Sequence, residues 1–333
     1  MIVAVIRPRD RSRLALEHGV AQALVEAGDE KALLETAAAH IAGALDVDGA
    51  AVLGRPEDSR GPRILAKAGM LAHGIDRVDG AGHTALTEGR VVRGSAATAG
   101  SELAAPIRVD GRVWGVVATE WPSSFTEGDA ELAGALATQV GEALTALWAV
   151  RDADGDVFAA RKVAGATDEP GDRRLTEYRE VARQAMSIGS KLGVPDARLK
   201  TLYIAGLFHD LGLAGVPHEL TTGGRRLTDE ERRVVGQHPL TGARMMRQSS
   251  RLREAAEIVR HLGEHYDGTG IPEGLSGTSI PLESRILAAV VAYSSLDADT
   301  APLVLRAARG TQFDPHVVDA VLESSPVLAP ALA

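Results

Sequence analysis

The chain has 333 residues, 45% hydrophobic and 24% charged, with a formal net charge of −9. That length predicts about two domains, the apolar fraction excludes a chain disordered throughout, and the acidic balance argues against general nucleic-acid or direct DNA binding. There is no cysteine, which excludes disulfides, thiolate catalysis, cysteine-ligated zinc and iron–sulfur clusters.

No apolar run reaches the roughly 18–20 residues of a membrane span. The start, MIVAVIRPRDRSR, places its apolar stretch before its basic residues, the reverse of a secretory signal. The expectation is a cytoplasmic protein with no membrane partner.

The N-terminal half opens with helices. Leu16, Val20, Ala23, Leu24 and Ala27 recur at helical spacing, and Asp29 is placed to cap a second helix through Leu33, Leu34, Ala37, Ile41 and Leu45. Strands are predicted at Ala50 to Leu53, Arg63 to Ala68 and Arg90 to Arg93. Leu103 to Val109 and Arg112 to Thr119 read as a hairpin turning at Asp110-Gly111. Thr126 with Asp129 three residues on predicts the start of a long helix, Glu127 to Val150. This order predicts an α+β domain, an antiparallel sheet with helices on one face.

The segment SELAAPIRVDGRVWGVVATEWPSSFTEGDAELAGALATQVGEAL, with GAGHTALTEGRVVRG upstream, resembles the GAF domain over residues 14–149. The resemblance implies a small-molecule sensor joined to an output domain by its last helix. The ligand does not follow from the fold. No Asn-Lys-Phe-Asp-Glu type cyclic-nucleotide signature is present, and a cysteine-linked bilin is impossible. His83 lies in the ligand-proximal segment; it is either a cofactor-binding residue, as for haem, or a solvated histidine.

Residues 151–172 are rich in Asp, Gly and Ala and read as linker, with Val157 to Val163 able to continue the preceding helix. The expected boundaries are a sensor at 14–149, a linker or signalling helix at 150–173 and a helical domain at 174–325. In that last part, apolar faces recur through Leu175, Tyr178, Val181, Ala182, Ala185 and Ile188, and through Leu199, Leu202 and Ala205. Thr228 with Glu231 starts another helix, and Ala255 to Leu262 and Arg285 to Leu296 are two more. This predicts an all-α bundle.

The distinctive cluster is His209-Asp210 at the end of an apolar helix, with Leu211-Gly212 breaking it. Adjacent imidazole and carboxylate donors suit Fe, Mn, Zn or Ni on one ion. His238-Pro239 with Gly242 follows, then Asp267-Gly268-Thr269-Gly270-Ile271-Pro272 and Arg285-Ile286-Leu287. The order, through LFHDLGLAGVP, LTDEERRVVGQHPLTGARMM, EHYDGTGIPEGLSGTSIPLESRIL and GTQFDPHVVDAVL, resembles the HD-GYP family. The resemblance implies a helical bundle with two or three metal ions, Fe or Mn here, that hydrolyses cyclic di-GMP.

Carried over residue by residue, the resemblance implies His209, Asp210 and His238 as metal ligands. The family's first histidine aligns with Glu177, whose carboxylate is a possible ligand. Its paired histidines align with Leu262-Gly263, and its closing aspartate with Val291, none of which can bind a metal. The phosphate-holding basic stretch after that aspartate is missing. Whether a nearby carboxylate, such as Asp267 or Asp297, folds back into the gap left at Val291 is open at this point, while Glu264, His265 and Tyr266 read as a helix end.

Two functions follow from this pattern. One is a regulatory, non-hydrolysing or weakly active relative of cyclic di-GMP phosphodiesterases, binding a cyclic dinucleotide, another small molecule or a signalling protein partner such as a diguanylate cyclase domain. The alternative is an active, divergent metal phosphohydrolase using Glu177, His209, Asp210, His238 and either His261 or His265, with Asp210 as the catalytic residue and cyclic di-GMP or another phosphoester as substrate. The long helix from Glu127 adds the expectation of a homodimer.

Overall fold

The computed structural model describes residues 13–27, 29–54, 63–69, 80–96, 100–109, 111–121, 124–153, 173–222 and 225–324. The chain divides into two compact units, Met1–Leu147 with Ala214–Val235, and Trp148–Leu213 with Gly236–Ala333. The stretch 214–235 therefore groups with the N-terminal unit although it lies within 174–325. Among the described residues no helix is long and apolar enough to cross a membrane.

In the first unit, α1 (Arg13–Glu26) and α2 (Glu30–Leu45) precede β1 (Gly49–Gly54) and β2 (Arg63–Gly69). Then come α3 (Gly80–Glu88), β3 (Val92–Ala96), β4 (Gly100–Val109), β5 (Arg112–Trp121) and α4 (Glu127–Ala153). The strands form one antiparallel sheet in the order β2-β1-β5-β4-β3. The local signals act as read. Asp29 Oδ1 accepts from the Ala32 amide at 2.8 Å. The Thr126 amide donates to Asp129 Oδ2 at 2.8 Å, and the Asp129 amide to Thr126 Oγ1 at 3.2 Å. Gly111 takes φ +72° in the β4–β5 turn, a conformation glycine adopts without a Cβ penalty. Its neighbour Asp110 lies outside the described residues.

Two expectations need correction. The third strand runs Val92–Ala96 instead of Arg90 to Arg93, because its register is set by β4: Val92 lies opposite Ala104 and Arg93 opposite Leu103. Nor are the helices confined to one face. All six residues of β1 are buried. Ala51 and Leu53 join a core with Ala81 and Ala85 of α3 and with Val116 and Ala118 of β5. Ala50 and Val52 point the other way and are also fully buried. A strand covered on both faces loses its polar alternation, which is why β1 reads GAAVLG. Small residues allow close approach; a Cβ at Gly141 of α4 would overlap the Arg108 carbonyl oxygen.

The second unit is helical in its described residues apart from short 3-10 turns and isolated bridges. Its helices are α5 (Arg173–Lys191), α6 (Asp196–Phe208), α9 (His238–Met246), α10 (Arg253–Arg260), α11 (Leu282–Ser294), α12 (Thr300–Ala307) and α13 (Pro315–Glu323). The helices α7 (His218–Thr222) and α8 (Asp229–Gly236) fall mostly in the stretch assigned to the first unit. α5 packs on α6 and α11, and α10 on α6 and α9. α10 ends two residues before the expected Leu262. α11 starts at Leu282 rather than Arg285, directly after Pro281, whose fixed φ suits the entry to a helix. The linker residues 154–172, with Val157 to Val163, lie outside the described residues.

Candidate functional site

The site is assembled by two close backbone approaches. Where α6 crosses α5, a Cβ on Gly206 would come within 2.6 Å of Ala182 Cα, so only glycine fits there. That crossing sets the end of α6, and with it His209, against Tyr178 of α5. The two rings meet edge to face, centroids 5.5 Å apart. After Asp210 the chain turns into a 3-10 stretch, Leu211–Gly215. There a Cβ on Gly212 would overlap the His238 carbonyl oxygen and the Gly242 amide nitrogen. This glycine contact brings the start of α9 to the end of α6.

His209, Asp210 and His238 meet as a result. Asp210 Oδ1 lies 3.3 Å from His209 Nε2 and 3.5 Å from His238 Nε2. His209 is 3% exposed. Its Nδ1 lies 2.8 Å from the Gly206 carbonyl, which can only accept, so Nδ1 carries the proton. In the neutral ring Nε2 then presents a lone pair to a carboxylate oxygen. That contact is attractive only with a second ring proton or a cation between them, the arrangement by which a backbone carbonyl orients a metal-ligating histidine.

The other positions that the resemblance assigns to metal ligands are Glu177, Leu262, Gly263 and Val291. Glu177 is exposed on α5. Its neighbour Tyr178, about 100° further round the helix, is the residue that faces His209. Leu262 and Gly263 follow the end of α10, and Val291 lies on α11. Among the described residues no group of three or more His, Asp or Glu side chains is arranged to hold a metal ion.

The polar residues near the missing positions have other partners. Glu264, 4% exposed, accepts from the Glu273 amide at 2.8 Å and from the Leu275 amide at 2.9 Å. His261 Nδ1 donates to the Glu257 carbonyl at 2.9 Å, and His265 Nδ1 lies 3.1 Å from Thr269 Oγ1. Asp267 accepts from the Thr269 hydroxyl at 2.7 Å and its amide at 3.0 Å. These bonds hold its carboxyl below the usual range. Asp297 Oδ1 accepts from the Thr300 amide at 2.9 Å. Both of these carboxylates serve turns of their own. Arg285 pairs with Asp314, which also accepts from the His316 amide at 2.7 Å.

In the first unit, His83 is exposed on α3, away from buried Ala81 and Ala85. The start of α3 is tied to β4 by the Ala81 amide donating to Glu102 Oε2 at 2.8 Å.

Sequence reading missed four of these features: the Gly212 contact, the bridging role of Glu264, the Tyr178–His209 contact and the Arg285–Asp314 pair. The available signals were the glycines inside both motifs and a glutamate kept in the third.

Comparison with known proteins agrees with both halves. The GAF domain family matches residues 29–144, and the HD domain family matches residues 166–316. The chain carries a GAF domain and an HD domain. Cyclic di-GMP phosphodiesterase response regulator RpfG of Xanthomonas campestris pv. campestris is 31% identical over 170 residues, 45% of each chain. A cyclic di-GMP phosphodiesterase of Vibrio cholerae serotype O1 is 35% identical over 143 residues, 38% of this chain and 29% of its own. From the same organism, 3'3'-cGAMP-specific phosphodiesterase 1 is 26% identical over 41% of this chain and 32% of its own. The chain thus spans less than half the length of the curated relatives it matches.

Proposed function

We propose that this protein is a signalling protein in which the GAF domain senses a small molecule and the HD domain is a regulatory output, non-hydrolysing or weakly active. The observation that carries this reading is the identity of three positions. Leu262, Gly263 and Val291 stand where the resemblance calls for metal ligands, and no protonation state lets them coordinate. With His209, Asp210 and His238 alone, a poised multi-metal centre for activating water lacks its ligands. The ligand class we assign is a cyclic dinucleotide or a related phosphodiester, since relatives are named for cyclic di-GMP and 3'3'-cGAMP. A signalling protein partner and a homodimer paired through α4 complete the proposal; light scattering at micromolar concentration tests the dimer.

A second reading, an active divergent phosphohydrolase using Fe or Mn, is favoured by one observation. The Gly206 carbonyl fixes the His209 tautomer so that its lone pair meets Asp210. Elemental analysis of protein purified without chelator or histidine tag separates the two. The regulatory reading expects less than one equivalent of metal and no turnover of cyclic di-GMP. About two equivalents of Fe or Mn, with hydrolysis abolished by Asp210→Ala, overturns it in favour of the enzyme.

A further inference from the structure

The stretch Ala214–Val235 lies between Asp210 and His238 in sequence but belongs to the first unit. Several of its contacts there are polar. Gln22 Nε2 of α1 donates to the Gly215 carbonyl at 3.1 Å. His218 Nδ1 of α7 donates to Glu142 Oε1 of α4 at 2.6 Å. Glu219 accepts from Arg13 Nη2 at 2.7 Å, and the same guanidinium donates from Nε to buried Glu17 at 2.6 Å. Ala214, Val216 and Leu220 are buried, whereas α8 buries none of its residues. The stretch is therefore fastened through its first half.

The ion pairs among these fastenings are weak ones. The side chains of Arg13, His218 and Glu219 keep 41%, 38% and 58% of their exposure, so water and salt screen their ion pairs. Gln139, one turn before Glu142 on the same side of α4, is fully buried with neither amide atom hydrogen-bonded among the described residues. The two ends of the stretch are gripped in another way. They meet at a neck in the second unit, where Gly212 lies against the backbone of His238 and Gly242.

We propose that Ala214–Val235 is a strap through which the state of the GAF domain reaches the Asp210–His238 pair. α1 and α4 are linked by Arg13 to Glu131 at 3.5 Å. A ligand-driven shift between these helices withdraws Gln22, Arg13 or Glu142 from the strap. The released strap loosens the neck at Gly212, and Asp210 separates from His238. The coupling rests on the sensing role proposed above for the GAF domain, but it requires neither a bound metal nor turnover.

Hydrogen–deuterium exchange on the full chain tests it, comparing wild type with Gln22→Ala and Glu219→Gln. In Gln22→Ala, amides of 214–222 exchange about tenfold faster. Amides of 209–213 and 236–242 accelerate with them, while β4 and β5 keep their wild-type protection. Glu219→Gln gives the same pattern at smaller amplitude. Its side chain is mostly exposed, so that variant keeps the fold even where Gln22→Ala does not. A strap that loosens while 209–213 and 236–242 exchange at wild-type rates overturns the proposal. So does wild-type exchange at 214–222 in both variants.

Discussion

Two stretches of the HD domain carry its polar motifs, and they use them differently. From Gly206 to Gly242, backbone contacts turn His209, Asp210 and His238 toward one another, so polar atoms meet polar side-chain atoms. From Glu257 to Asp314, the polar side chains turn to backbone or to a structural partner: His261 to a carbonyl, Glu264 to two amides, Asp267 to its own turn, Arg285 to Asp314. Only the first stretch sets a carboxylate between two imidazoles. What distinguishes a site from a scaffold here is where each donor points.

The largest expected effect falls in the second stretch. Glu264→Ala removes two charge-assisted hydrogen bonds to backbone amides, and urea denaturation should show about 3 kcal/mol of lost stability. Glu264→Gln, which can still accept, should lose less. If both are neutral, the carboxylate is not a scaffold and the comparison breaks. Next is the first stretch. Gly212→Ala drives a Cβ into the His238 backbone and should cost about 2 kcal/mol, with Gly242→Ala milder because its neighbours lie at 2.9 Å or more. Equal effects of the two alanines would mean that the neck is looser than described.

The local elements of the fold were legible because their partners are close in sequence. Asp29, Thr126 with Asp129, and Thr228 with Glu231 each complete a hydrogen bond about three residues away, a distance a spacing rule can see. Elements placed by distant partners were read less well. β3 shifted because β4 sets its register, and β1 gave no sign of two covered faces beyond its small residues. In the site, the resemblance brought the two histidines and the aspartate together, but no periodicity encodes the Gly212 contact that does so. Glu264 read as a helix end because the amides it holds lie 9 and 11 residues on, across a loop.

Two smaller effects sharpen the contrast. Val291→Asp returns one carboxylate to the position that the resemblance assigns to a ligand. Calorimetric titration with Mn(II) should show at least about tenfold tighter binding than wild type. No gain would mean that more than missing side chains separates this chain from a metal centre. The smallest concerns a control on the excursion inside the first stretch. Glu231 sits at about 2, held down by the Arg225 side chain and then by the Thr228 amide. Its folded value is below its unfolded one, so its contribution is present above the usual carboxylate range and disappears as pH falls through about 2. In Arg225→Ala, carbon-detected NMR titration should find Glu231 moved upward. Displaced backbone amide signals at 209–212 in the same variant would join the control to the site and blur the contrast.

The neck at Gly212 has an evolutionary corollary. Between Gly212 and Gly242 the chain makes an excursion on the order of 30 residues and returns to the same backbone contact. For a loop closed at its base, doubling the length costs only about 0.6 kcal/mol of closure entropy. Insertions and substitutions in the excursion are therefore cheap, while a single methyl group at its base is not. Selection can lengthen the loop at little cost while its base stays closed.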